Sequence, residues 1–78
     1  MNELQKIIAA VQAGIISQAE LARRTNMGRN TVYYISSGSV KNPGYTTVLN
    51  LASALDAYLA EHPEAAARLA DLSTPAAA

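Results

Sequence analysis

Apolar side chains recur along the chain at the spacing of amphipathic helices. Before the first such run, Asn2 and Gln5 have the spacing of a capping box, and Gly14 follows its end. Positions i, i+3, i+4 and i+7 of the run form one helical face, made of Leu4, Ile7, Ile8 and Val11. The pattern predicts a first helix that ends at about residue 13.

Two shorter helical segments follow. Ser17 and Glu20 have capping-box spacing at the start of the first, which we expect over about 17–25 with Leu21 and Ala22 facing the core. A turn of three residues then offers a left-handed position, an apolar plug and an N-cap, at Asn26, Met27 and Gly28. The sequence therefore predicts a helix, a tight turn and a second helix.

The second of these helices is expected over about 29–37. Val32 and Ile35 form its buried stripe, and Gly38 follows its end. The other positions are free to face outward. Arg29 is expected in the first turn, opposite the Val32 and Ile35 stripe.

A loop and two further helices complete the pattern. Asn42-Pro43-Gly44 predicts a loop over about 39–45, and Thr46 or Thr47 is expected to start a fourth helix. That helix has an apolar face at helical spacing, formed by Val48, Leu51, Ala52, Leu55 and Leu59. Pro63, with His62 as the cap before it, ends it and suits the first position of a fifth helix. We expect Leu69 and Leu72 on one side of this last helix and a flexible tail over 73–78.

Length and composition agree with a small all-α domain. The 78 residues allow one domain, which we expect over 1–72, and alanine supplies 16 of the 39 apolar residues. The chain has no cysteine and a single histidine, which excludes disulfides, thiolate catalysis and poly-histidine metal sites. The longest apolar run, over 7–11, is too short to span a membrane, and no secretion signal is expected.

The net charge of zero hides an uneven distribution. Residues 21–55 contain no acidic side chain, whereas both ends of the chain are acidic. The cations of this middle segment are Arg23, Arg24, Arg29 and Lys41. The middle segment is therefore a candidate surface for a polyanion.

Two short helices joined by a three-residue turn are the outline of a DNA-binding helix-turn-helix. The major groove accommodates one α-helix, so such a motif needs a helix with one anchored face and one free face. The segment 29–37 meets this requirement.

The run from Ser17 to Gly38 resembles the helix-turn-helix of the phage repressor and Cro family, the XRE type. The similarity covers about residues 15–55, and the segment 51–55, Leu-Ala-Ser-Ala-Leu, resembles the fourth helix of that family. Three positions depart from the family pattern. Asn26 stands where the family usually has Gly, Gly28 where it usually has Ser or Thr, and Ser36 where it usually has Glu. The resemblance implies a compact five-helix, lambda repressor-like domain that binds DNA.

The resemblance also implies roles for individual residues. Arg29, Asn30 and Tyr34 match positions that contact base edges, and Arg and Asn form bidentate pairs with guanine and adenine. Gln18 matches a residue that contacts a phosphate and braces the first residue of the recognition helix. Tyr33 is added to the base-contacting candidates, with backbone contact and packing of its ring into the core as alternatives.

Three further residues are candidates for phosphate contacts. Lys41 and Asn42 match positions in the loop after the recognition helix, although a loop lysine alone is more often simply solvated. Arg23 is included as well, and its alternative is a surface ion pair with Glu20 at i, i+3.

No arrangement of residues indicates catalysis. Ser36, Ser37 and Ser39 have no histidine or other base nearby in sequence, and Glu61 and Glu64 lie in an acidic helix start. We therefore expect no enzyme activity, metal or cofactor, and no small-molecule ligand.

Together these observations predict a sequence-specific, DNA-binding transcriptional regulator, a cytoplasmic protein of a bacterium or an infected host. We expect a repressor that binds a palindromic operator in double-stranded DNA as a homodimer. The candidates for the dimer interface are the apolar residues that we expect to contribute least to packing within the monomer, namely Tyr58, Leu59, Leu69 and Leu72. The alternative is an antitoxin-like or other protein-interaction module that also touches DNA.

Overall fold

Five α-helices make up the described part of the chain. The structure is a computed structural model and describes residues 2–40 and 42–73, with no description of the Ser73 side chain. The helices are α1 (Glu3–Gln12), α2 (Gln18–Thr25), α3 (Arg29–Ser36), α4 (Tyr45–Glu61) and α5 (Pro63–Ser73). The predicted all-α class and the five-helix architecture are confirmed. Of the tail predicted over 73–78, residues 74–78 lie outside the described part of the chain.

The first helix begins and ends as its sequence predicts. The Gln5 backbone N–H donates to Asn2 Oδ1 at 2.8 Å, and the Asn2 N–H donates to Gln5 Oε1 at 3.2 Å, which completes the capping box. Gly14 then adopts a left-handed φ of 75°, a conformation that glycine reaches without steric cost.

The capping box predicted for α2 is only half formed. The Glu20 N–H donates to Ser17 Oγ at 3.0 Å, but the Glu20 carboxylate accepts hydrogen bonds from Arg23 and Arg24 instead of returning to the cap. Hydrogen bonds between charged partners are stronger than a bond to a neutral backbone amide, so the carboxylate favours the arginines.

Helix α4 lies at the centre of the packing and contacts α1, α2 and α5. It begins at Tyr45, ahead of the predicted Thr46 or Thr47, because Gly44 serves as its N-cap and its carbonyl accepts the Val48 N–H at 3.0 Å. The fully buried large side chains that hold the helices together are Ile7, Leu21, Val32, Leu51 and Leu55. Leu21 of α2 and Val32 of α3 both belong to this core, so the two helices pack on the same interior.

The core also contains residues that the helical pattern did not indicate. Ile15 and Ile16, between α1 and α2, are buried because their N–H groups bond back to the Ala10 carbonyl and fold the linker inward. Leu72, expected beside Leu69, is instead 51% exposed, whereas Leu69 is 5% exposed.

The turn after α2 gives a first testable prediction. Asn26 has φ 58° and ψ 31°, a left-handed conformation that costs most residues about 1–2 kcal/mol. We expect Asn26→Ala to lower the free energy of unfolding by about 1 kcal/mol. Asn26→Gly should leave it unchanged or raise it. Urea unfolding of the three proteins checks this, and equal stability of the alanine and glycine variants would contradict it.

Candidate nucleic-acid interface

The turn between α2 and α3 holds the two helices in a fixed relation. After Asn26 reverses the chain, the Met27 N–H donates to the Ala22 carbonyl at 3.2 Å, and Met27 packs against the core. Gly28 is the N-cap of α3, with no side-chain hydrogen bond to the helix start. The predicted roles of the three turn residues are confirmed, and the first turn of α3 lies exposed at the surface.

One face of α3 is anchored and the rest is free. Val32, Ile35 and Ser36 are buried, while the other side chains of the helix are exposed. At about 100° per residue, Asn30 and Tyr34 lie opposite the centre of the buried face. Arg29, three residues before Val32, lies only about a quarter turn from the centre of the Val32 and Ile35 stripe, and the burial of Ser36 extends the buried face toward it. Arg29 is therefore at the flank of the helix, and its predicted place opposite the stripe is wrong.

The two tyrosines of α3 both face outward. Each ring is about half exposed, and the rings contact each other edge to face with centroids 5.5 Å apart. The alternative in which the Tyr33 ring packs into the core is therefore wrong. With Asn30, the pair presents apolar rings and hydrogen-bonding groups along an exposed helix of a width that the major groove accepts.

The arginines differ in what they contact. Arg23 donates to Glu20 Oε1 at 2.5 Å, and Arg24 bonds Glu20 at 2.5 Å and Glu61 at 2.8 Å. The Arg29 side chain has no ion pair or hydrogen bond within residues 2–40 and 42–73. Its guanidinium is thus available to an anion or a base edge without loss of an internal contact.

A comparison with protein-family models agrees with this geometry. A helix-turn-helix model matches residues 7–62, which include α2, the turn and α3. The chain belongs to the XRE, or lambda repressor-like, helix-turn-helix family. Searches of curated proteins and of solved structures gave no match.

Membership in the XRE family gives the chain its general function. The protein is a DNA-binding transcriptional regulator of the XRE type, and α3 occupies the recognition-helix position of its helix-turn-helix. None of the described helices is long and apolar enough to cross a membrane. Within the same residues, no group of three His, Cys, Asp or Glu side chains could hold a metal ion.

Gln18 forms its hydrogen bond with the end of the recognition helix, whereas the resemblance implied a contact with the first residue of that helix. Its Nε2 donates to Ser36 Oγ at 3.3 Å, at the end of α3, and no hydrogen bond joins it to Arg29. The expected bracing of the first recognition-helix residue is therefore wrong for this structure. The half-buried Gln18 instead links the start of α2 to the end of α3.

The loop after α3 holds the remaining phosphate candidates. Asn42 is exposed, and Lys41 lies outside the described residues. Ser37, which was considered from the sequence only for catalysis, is exposed and follows Asn30 and Tyr34 at helical spacing, i, i+4 and i+7. That spacing was available in the sequence. Ser37 Oγ bonds the Tyr34 carbonyl at 3.2 Å and Ser39 Oγ at 3.0 Å.

Three of the four residues predicted for a dimer interface are engaged within the monomer. Leu69 belongs to the core, and Leu59 packs against it. Tyr58 lies beneath the Arg24 guanidinium, 5.4 Å from its ring centroid, and against His62, with ring centroids 4.3 Å apart. The expectation that Leu69 has little to do in the monomer is wrong, because α5 uses it to pack on the other helices. Leu72 is exposed.

Arg24 also joins α2 to the end of α4. The hydrogen bond from Arg23, followed in size by the one from Arg24, lowers the pKa of Glu20 below 4.5. A hydrogen bond from Arg24 likewise lowers the pKa of Glu61 below 4.5. In return, bonds to Glu61 and Glu20 raise the pKa of Arg24. Because Arg24 is paired with a carboxylate on each of the two helices α2 and α4, we assign the network to stability.

The lowered pKa values predict an acid-sensitive fold. A carboxylate with a lowered folded pKa stabilises the native state above its unfolded pKa, and this contribution is lost as the pH falls through the folded value. We therefore expect the melting temperature to decrease once the pH is lowered below about 4.5. The decrease should be smaller in Glu61→Gln, which lacks one of the two carboxylates.

Asp71→Asn is the matched control, because Asp71 on α5 has no ion pair among the described residues. This variant should retain the acid sensitivity of the wild type. Melting curves followed by circular dichroism across the acid range check both expectations. An identical acid response in Glu61→Gln and the wild type would contradict the assignment of the network.

Proposed function

We propose that the protein is a repressor that binds a palindromic operator as a homodimer, with α3 in the major groove. The observation that carries the proposal is the exposed first turn of α3, where the unpaired Arg29 and the outward Asn30 stand beside two exposed tyrosines. Arg suits guanine, Asn suits adenine, and a tyrosine ring can contact a thymine methyl group. These are the side chains by which we expect the protein to distinguish sequences.

The size of the molecule supports binding by two copies. A recognition helix of eight residues reaches only a few base pairs, too few for useful specificity. Half-sites for two-fold dimers lie about 34 Å apart. One copy measures 38 × 27 × 18 Å, so two copies on successive turns of one DNA face would touch at their edges if the longest dimension lies along the DNA.

The dimer interface is proposed near the end of α5. Leu72 is the exposed large apolar residue there, with Leu59 and Tyr58 partly accessible on α4. The buried Leu69 is removed from the proposed interface. A contact of this small extent is weak, so we expect dimers to form mainly on DNA, where the half-sites hold the two copies together.

Phosphate contacts are proposed for Gln18, Asn42, Lys41 and Arg23. Arg23 keeps much of its side chain in solvent while it pairs with Glu20. It would therefore contribute less than an unpaired cation, because Glu20 already neutralises it. Repression would follow from occupancy, since a bound dimer excludes the polymerase from an overlapping promoter.

Selection of bound duplexes from random DNA, followed by sequencing, tests the proposal. We expect an inverted repeat with half-site centres one helical turn apart and a stoichiometry of two chains per site in sedimentation. Placing the selected site over a reporter promoter should lower expression when the protein is supplied. A single unrepeated site bound by one chain would contradict the dimer, and raised expression would contradict repression.

A further inference from the structure

Ser36 is a buried polar residue on the recognition helix. It is 1% exposed and lies on the same helical face as Val32 and Ile35. Its hydroxyl donates to the Tyr33 carbonyl at 3.3 Å and accepts a hydrogen bond from Gln18 Nε2 at 3.3 Å. A buried hydroxyl with both a donor and an acceptor partner adopts one orientation, so this one also constrains its partners.

The constraint on Gln18 follows from the chemistry of the two groups. Because the single Ser36 hydroxyl proton is used on the Tyr33 carbonyl, Ser36 Oγ can only accept from Gln18. The Gln18 side chain must therefore present its NH₂ end, and not its carbonyl oxygen, to α3. An amide NH₂ has two hydrogens, and the second one stays free for another acceptor.

We propose that Ser36 is a positioning residue for DNA binding, which holds the Gln18 amide so that its second N–H donates to a backbone phosphate. The inference rests on the proposed function, since it assumes that Gln18 faces DNA. Holding the amide before DNA arrives reduces the side-chain entropy lost on binding. The same bond joins α2 to the end of α3, so the phosphate contact and the orientation of the recognition helix are coupled.

A double-mutant cycle on the selected operator tests the proposal. We expect Gln18→Ala and Ser36→Ala each to weaken binding about tenfold, as for loss of a hydrogen bond. The double variant should bind no more weakly than Gln18→Ala, because both changes remove one shared interaction. Base preference and the slope of log affinity against log salt should stay unchanged, since a neutral amide releases no counterion.

A spectroscopic measurement separates positioning from simple stability. In the wild type, the Gln18 side-chain amide proton that bonds Ser36 should have an NMR chemical shift displaced from the value of a solvent-exposed glutamine, and in Ser36→Ala it should move toward that value. Thr25→Ala is the matched control, because Thr25 Oγ1 donates to the Leu21 carbonyl at 2.7 Å within α2 and does not contact Gln18. This variant should lose stability but keep full affinity at a temperature where it is folded.

Ser36→Cys provides a second variant if the alanine protein unfolds, because a thiol fills similar space and accepts hydrogen bonds weakly. It should show the same loss of affinity. Full affinity of a folded Ser36 variant, or losses that multiply in the double variant, would overturn the inference and leave the proposed function intact. Failure of the wild-type protein to select any duplex site would overturn both.

Discussion

Replacing Arg29 with alanine is expected to remove the preference for one base pair in each half-site of the operator. The Arg29 guanidinium has no internal partner in the described structure and lies in the first turn of α3, at the flank of its free face. A guanidinium there can form two hydrogen bonds with O6 and N7 of a guanine, worth about 1–3 kcal/mol of discrimination. Affinities of Arg29→Ala for operators altered one base pair at a time measure the effect.

Arg29→Lys separates a base contact from a phosphate contact. Lysine keeps the positive charge but lacks the planar fork that pairs with guanine. If Arg29 contacts a base, the lysine variant should keep the salt dependence of binding and lose most of the preference at that position. If both variants retain the full preference of the wild type at every position, Arg29 is not a base-contacting residue.

Leu51→Ala is expected to cost the most stability. Leu51 is 0% exposed, in the part of α4 that lies against the core. Truncating a buried leucine to alanine typically costs about 2–5 kcal/mol, through lost burial and the cavity left behind. Small domains are stable by only about 5–15 kcal/mol, so the melting temperature should fall by at least about 10 °C.

Leu49→Ala provides the comparison, two residues earlier on the same helix. Leu49 is 41% exposed, so its truncation should change the free energy of unfolding by no more than about 0.5–1 kcal/mol. Urea and thermal unfolding followed by circular dichroism measure both variants. Equal losses for Leu49→Ala and Leu51→Ala would mean that the core does not lie where the structure places it.

Local signals in the sequence were sufficient for most of the secondary structure. The Asn2 and Gln5 capping box, the left-handed Asn26 and the glycine cap at Gly28 all act between residues close in the chain, and the structure contains each of them. Helix α4 starts at Tyr45, one or two residues before the predicted Thr46 or Thr47, because Gly44 serves as its N-cap. Capping residues in a sequence predict a helix boundary only to within one or two residues.

Helical periodicity was less reliable where one residue decides a face. Val32 and Ile35 indicated the buried side of α3, but Arg29 lies only about a quarter turn from their centre, and the burial of Ser36 extends the buried side toward it. Likewise, Leu69 and Leu72 share one helical stripe, yet only Leu69 reaches the core. Periodicity gives the direction of a side chain around its helix, and neighbouring helices determine how much of that direction is covered.

The sequence by itself determined the helices, the turn and the candidate surface of α3, because these depend on spacing and capping between near neighbours. Only the tertiary structure decided which polar groups pair between helices. Arg24 reached Glu61, 37 positions away, and Gln18 bonded Ser36, 18 positions away. These partners meet only after packing brings distant segments together, and charged or buried groups then bond the nearest partner available. Among the described cations of the acid-free segment, Arg23 and Arg24 are paired and the Arg29 side chain is unpaired.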